Sequence, residues 1–307
     1  RLTVMALIWG GSAGVIFSFL VEMAIPASEF VTMAIVAPLA EELAKASVFI
    51  LVATGARKLE LTSLTDHIFY AGICALGFAF VENLGYFALS SSAGEFVVMA
   101  LVRTGFGVFG HPLYTTATAV GIWAWRTKGG LWKAAVGYIA ACLLHGLWNG
   151  GPTLLAGSLG LDDTGQLAAM ILVYIVLFVP VFIGTIIMTT RNRRNEYEAV
   201  RSQLPLMVEA GLVTPAEADM IADPRKRRAI LADSGKYGRV AKRNQKRTIT
   251  AATEAALAQH RIAAGEGGPE LIKRRDQLSE WLRSRPDKLG QLPLMPQFPP
   301  IQPPATW

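Results

Sequence analysis

The sequence predicts an all-α protein: a polytopic transmembrane helix bundle of about six spans, followed by a helical, basic C-terminal tail. Three observations predict it. Six apolar runs are each long enough to cross about 30 Å of hydrocarbon. The charged residues fall into two very different parts of the chain. The turns between the runs alternate in charge.

Of 307 residues, 52% are hydrophobic and 17% are charged, against roughly 25% charged in soluble domains. Mean hydropathy is +0.38. Residues 1–190 hold 8 Lys/Arg and 10 Asp/Glu, a net of −2; residues 191–307 hold 21 and 13, a net of +8. The chain therefore divides into a transmembrane domain, 1–190, and a basic tail, 191–307. A start at Arg1 leaves room for a preceding span, and nothing there reads as a cleavable signal peptide. Two cysteines, Cys74 and Cys142, lie in apolar runs without metal or disulfide spacing and read as core residues.

The runs are Val4–Ile25, Phe30–Ala53, His67–Ser90, Phe96–Trp125, Trp132–Gly157 and Leu167–Thr190. A β-barrel would instead show short alternating segments, which are not seen. The turn after the second run holds Arg57 and Lys58. The turn after the fourth holds Arg126, Lys128 and Lys133, and the sixth run ends in Arg191-Asn192-Arg193-Arg194. The opposite turns carry Glu29, Glu95, Asp162 and Asp163 and no Lys or Arg. By the positive-inside rule the basic turns and the tail are cytoplasmic, in a plasma (inner) membrane. Trp125, Trp132 and Tyr70 stand near span ends, as aromatic anchors do.

A charge at mid-bilayer costs at least about 2.5–3.5 kcal/mol, yet this chain keeps several at one depth. Glu41, Glu42, His111 and His145 fall within about a residue of the midpoints of the second, fourth and fifth runs. Glu82 of the third run lies about 5 Å further out at the helical rise. Glu41 and Lys45 share a helix face and can pair, as do His111 with Thr115 and His145 with Asn149. Gly105, Gly107, Gly110, Gly146 and Gly150 allow close helix approach around this level, and Pro112 is expected to kink the fourth run just after His111. Taken singly, an intramembrane His is more often an interhelical hydrogen bond, and a Glu–Lys pair is often structural. Arg103 reads as structural or outward-reaching, Glu22 as interfacial, and Trp123 and Trp148 as packing. Together Glu41, Glu42, Glu82, His111 and His145 read as a functional site.

Paired carboxylates with two histidines suit hydrolysis. A glutamate can take a proton from water, and a histidine can assist or protonate the leaving amine. Asn149 and Asn83 could hydrogen-bond the oxyanion of a tetrahedral intermediate. Alternatively His111, His145 and a glutamate such as Glu82 could hold zinc or another divalent metal. The compact H-E-x-x-H spacing is lacking, which favours the metal-free reading.

In chain order these residues read Glu41-Glu42-Leu43-Ala44-Lys45 (EExxK), Phe78 to Glu82-Asn83 (FxxxEN), His111 with Thr115, and His145 with Asn149 (HxxxN). From Val31 to Gly150 the set resembles the PrsW family of intramembrane proteases. The wider CAAX-prenyl endopeptidases and bacteriocin-immunity membrane proteins typically show EExxxR, so the PrsW branch fits better. The resemblance implies hydrolysis of a peptide bond in a membrane-bound, single-pass protein, such as the first cut of an anti-sigma factor. It also implies the base role for Glu41 and Glu42, with His111 and His145 assisting or ligating; the family is termed a metalloprotease in some schemes.

Two other classes compete. Buried Glu and His also form proton relays in carriers, but no repeat relates Arg1–Ala93 to Gly94–Thr190, as carriers often show. A non-catalytic immunity or scaffold protein would share the fold. In the tail, Thr214-Pro215-Ala216-Glu217 is a capping box. Helical patterns follow at Ala251–Ala264 and Pro269–Leu282, and Leu292–Pro304 is proline-rich. Basic clusters at Arg225–Arg228, Lys242–Arg247 and Lys273–Arg275 suit a solvated surface near anionic lipid or a protein partner. No recognition motif points to nucleic acid.

Overall fold

In lipid, a backbone must satisfy its own N–H and C=O groups, and the apolar runs do so as helices. The computed structural model describes residues 2–54, 61, 63–107, 109–265 and 268–285. Arg57, Lys58 and the proline-rich Leu292–Pro304 lie outside the described residues. Among those described the fold is all helical, without strands, and the chain divides into two compact units, Arg1–Arg193 and Arg194–Trp307.

The first unit begins with α1 (Leu2–Ala24), α2 (29–54) and α3 (Leu64–Ala88). Then come α4 (93–106), α5 (Gly110–Lys128), α6 (Trp132–Leu159) and the start of α7 (163–209). Four stretches are long and apolar enough to cross a membrane: Leu2–Ala24, Leu64–Ala88, Ala93–Lys128 and Thr164–Glu209. The chain is an integral membrane protein. The second run falls outside these four because α2 carries Glu41, Glu42 and Lys45 within one turn. The sixth α-helix, α6, is interrupted in apolarity by glycines, His145 and Asn149.

The fourth run departs from a single kinked helix. Gly107 and Phe109 are non-helical, and α5 begins afresh at Gly110. Pro112 thus stands in the first turn of α5, where its missing N–H breaks no helical bond. The break precedes His111 instead of following it. Wider π turns interrupt α1, α2, α4 and α7, at Gly10–Gly14, Thr32–Val36, Val102–Phe106 and Tyr174–Phe178; such turns recur at functional sites.

The contact between α2 and α6 fixes the site. Pro38 has no N–H to offer the carbonyl one turn earlier, that of Ala34. That carbonyl faces Gly146, where a Cβ would stand only 2.4 Å from it, and Gly150 packs on Ala34 Cβ and Phe30. Tyr138 donates to Leu39 O at 2.8 Å, Cys142 to Pro38 O at 3.6 Å and Asn149 to Met33 O at 3.0 Å. The partners run in opposite directions along the two helices, so α2 and α6 are antiparallel, joined on one face of each. Gly146→Ala should therefore push the helices apart, costing about 1–3 kcal/mol as overpacking does. A lower melting temperature of the detergent-solubilised protein is expected; an unchanged one would contradict this seam.

The second unit comprises the end of α7 with α8 (Pro215–Ala222), α9 (Pro224–Lys236), α10 (Arg239–Ala263) and α11 (Pro269–Ser284). Thr214 and Glu217 form the expected capping box. Val200, Leu204, Ile221, Ala252, Ala256, Leu278 and Leu282 make a separate core. Much of the α10 core face is alanine, which a scan for apolar runs does not register. Arg285 is buried against Glu217, and Tyr197 donates to Ala222 O.

Candidate active site

The site assembles from α2, α3, α5 and α6, which contribute Glu41, Glu42 and Lys45, Phe78 and Glu82, His111 and Thr115, and His145. Lys45 is fully buried at its centre. Its Nζ lies 3.2 Å from Glu41 Oε2, 2.9 Å from Glu42 Oε1 and 2.9 Å from His111 Nδ1, and 4.2 Å from the centroid of the Phe78 ring. Phe78 and Glu82 share a face of α3. The first supplies an apolar wall and a π face for the ammonium, and the second reaches His111 Nε2 at 2.9 Å.

An ammonium can only donate. His111 Nδ1 therefore accepts from Lys45, and its Nε2–H donates to Glu82, which assigns the neutral tautomer with the proton on Nε2. His145 stands at right angles to His111, ring centroids 5.0 Å apart. Its Nδ1 is 3.2 Å from Glu42 Oε1, off the line of a hydrogen bond, and its Nε2 is 3.8 Å from Glu41 Oε2.

The two adjacent glutamates are not equivalent. Glu42 is wholly buried: its Oε2 accepts from Thr115 Oγ1 at 2.8 Å, while its Oε1 faces Lys45 and His145. Glu41 keeps a little exposure, and its Oε2 is 3.7 Å from His111 Nδ1 and 3.8 Å from His145 Nε2. Lys45 Nζ bridges the first of these gaps.

The metal set offered by the sequence shifts accordingly. Among the described residues, Glu41, His111 and His145 can bring one ligand atom each within 4.8 Å of one another. Glu82 is instead held by Arg103, whose Nη2 lies 2.7 Å from its carboxylate. Two buried histidines and a carboxylate are a fitting donor set for a divalent ion. Yet the Lys45 ammonium already sits on His111 Nδ1 and Glu41 Oε2, two of those ligand atoms.

Several expected roles change. Thr115 orients Glu42, not the ring of His111. Asn149 Nδ2 clamps α6 to α2 through Met33 O, and Asn83 Oδ1 accepts from Arg103 Nε at 2.5 Å, which holds Asn83 toward α4. Arg103 reaches inward onto α3, its guanidinium 3.8 Å from the Tyr86 ring centroid. The sequence signal was present: an arginine inside an apolar run demands a partner. Tyr114 was overlooked, although it stands three residues beyond His111; its ring stacks on His145 with centroids 4.7 Å apart. Of the small residues singled out, Gly105 has open space beside it, whereas Gly146 and Gly150 meet α2. Trp148 packs on Phe178 and Tyr174, as expected of a core residue, and Cys74 and Cys142 are free and buried.

No curated protein and no solved structure matches the chain. A family model described as "PrsW family intramembrane metalloprotease" matches residues 1–185, a stretch that contains every residue of this cluster. Its length is well over half of the chain. The protein belongs to the PrsW family of intramembrane proteases.

Proposed function

We propose that the protein hydrolyses a peptide bond of a membrane-bound, single-pass substrate, with Glu41 as the general base. One observation carries this reading: the buried Glu41 carboxylate lies within 3.8 Å of ring nitrogens of both His111 and His145, themselves buried. A water that enters with the substrate gives one proton to Glu41, and its oxygen bonds to the carbonyl carbon. The tetrahedral intermediate then collapses; the C–N bond breaks and the amine leaves with the proton returned from Glu41. Lys45 holds the carboxylates and His111 in place, Glu42 faces His145, and Glu82 fixes the tautomer of His111. An anti-sigma factor suits the substrate class by family resemblance.

A divalent ion held by Glu41, His111 and His145 would act as a Lewis acid and polarise the water. The metal-free reading is favoured by Lys45, whose positive charge already occupies that position. Purified protein should hold no stoichiometric zinc, and chelator should leave cleavage unchanged. Stoichiometric zinc together with chelator-reversible activity would overturn that part of the reading.

The topology we infer has six crossings, α2 and α6 included, in a plasma membrane with the basic turns and the second unit cytoplasmic. The loop charges support this orientation, and α2 and α6 gain by burial against each other what they lack in apolarity. The test of function is reconstitution in liposomes with single-pass peptides, reading new termini by mass spectrometry. Cleavage by the wild type and none by His111→Ala is expected. Proton flux without any cleavage would favour a carrier instead.

A further inference from the structure

We propose that Tyr114 is a further catalytic residue, its phenolic O–H donating a hydrogen bond to the scissile carbonyl oxygen as that oxygen becomes an oxyanion. The inference rests on the hydrolytic reading above. Tyr114 is completely buried, and its hydroxyl has no hydrogen-bond partner among the described residues. A buried donor left unsatisfied destabilises a fold, so its retention calls for a reason.

Its surroundings supply one. The Tyr114 ring is stacked on His145 at an interplanar angle of 21° and meets the edge of His111 with centroids 5.7 Å apart. Phe178 of α7 closes the other side at 5.6 Å. The ring is thus locked against both histidines, and the hydroxyl is the part left over. Gly110 makes room for it: a Cβ there would stand 2.6 Å from the Tyr114 oxygen. The hydroxyl therefore points to the start of α5, beside the break in the fourth run.

Alternative donors are less well placed. Asn149 and Asn83 are tied to Met33 O and Arg103. Thr118, whose hydroxyl is also buried and unpartnered, stands a full turn deeper along α5 than Tyr114. His111 already uses both ring nitrogens. A buried tyrosine hydroxyl on a ring held by its neighbours is suited to stabilising charge that develops only in the transition state.

Tyr114→Phe keeps the stacked ring and removes only the oxygen. In liposomes with a peptide that the wild type cleaves, it should lower kcat about 10²–10³-fold, the usual loss of an oxyanion donor. KM should change little, and thermal stability should be equal or higher. Wild-type kcat in Tyr114→Phe would overturn the proposal and leave the hydrolytic reading intact. A drop in melting temperature that accounts for the lost activity would assign Tyr114 to packing alone. If the wild type cleaves no membrane peptide while remaining folded, the hydrolytic reading fails and this proposal fails with it.

Discussion

Glu41→Gln will reduce peptide cleavage by about 10²–10⁴-fold, the range for removing a positioned general base, while the protein stays folded. The reasoning is the asymmetry between neighbours. Glu41 Oε2 faces both histidines without a direct hydrogen bond to either, its one bond among the described residues being from Lys45. Glu42 uses one oxygen on Thr115 and the other on Lys45 and His145, so it has no atom left to approach a substrate. Glutamine at 41 preserves shape and removes the proton acceptor. Glutamine at 42 sets an amide N–H against Lys45 or against the Thr115 hydroxyl, and should lower the melting temperature. Cleavage assays with thermal unfolding of both variants check this. The roles would be reversed if Glu42→Gln were inactive at wild-type stability while Glu41→Gln still cleaved.

Lys45→Met should have the largest effect on stability. Methionine fills most of the lysine volume but leaves Glu41 and Glu42 buried with no cation between them. Breaking a buried ion pair from one side costs about 3–5 kcal/mol, which for a domain of this size lowers the melting temperature by about 10 °C. Arginine will not replace it, because the planar guanidinium is bulkier and cannot point at three acceptors as an ammonium does. The double variant Lys45→Met with Glu42→Gln should recover part of the loss, since it buries one charge fewer. Thermal unfolding of the three variants in one detergent tests the claim. A Lys45→Met protein as stable as wild type would remove Lys45 from the centre of the fold.

Much of the architecture was legible because helices have a fixed period and bilayers a fixed thickness. Run length gave the helices of the first unit, and the one-turn spacing of Glu41 with Lys45, His111 with Thr115 and His145 with Asn149 placed each pair on one face. Depth matching then brought four helices to one level. What period and depth cannot give is rotation about each helix axis. Arg103 turns onto Glu82 and Asn83 because α4 passes beside α3, a fact of packing and not of spacing. Asn149 turns to Met33 because Gly146 and Gly150 let α6 approach α2.

The ionisable residues inside the apolar runs, and the family resemblance they carry, were legible in the sequence alone. The cost of each buried charge makes such residues conspicuous wherever they occur. Only the tertiary structure decided which carboxylate faces the histidines. Glu41 and Glu42 are chemically identical neighbours, and adjacent helical residues point about 100° apart. Lys45, Thr115 of α5 and His145 of α6 engage both oxygens of Glu42 and leave Glu41 facing the histidines.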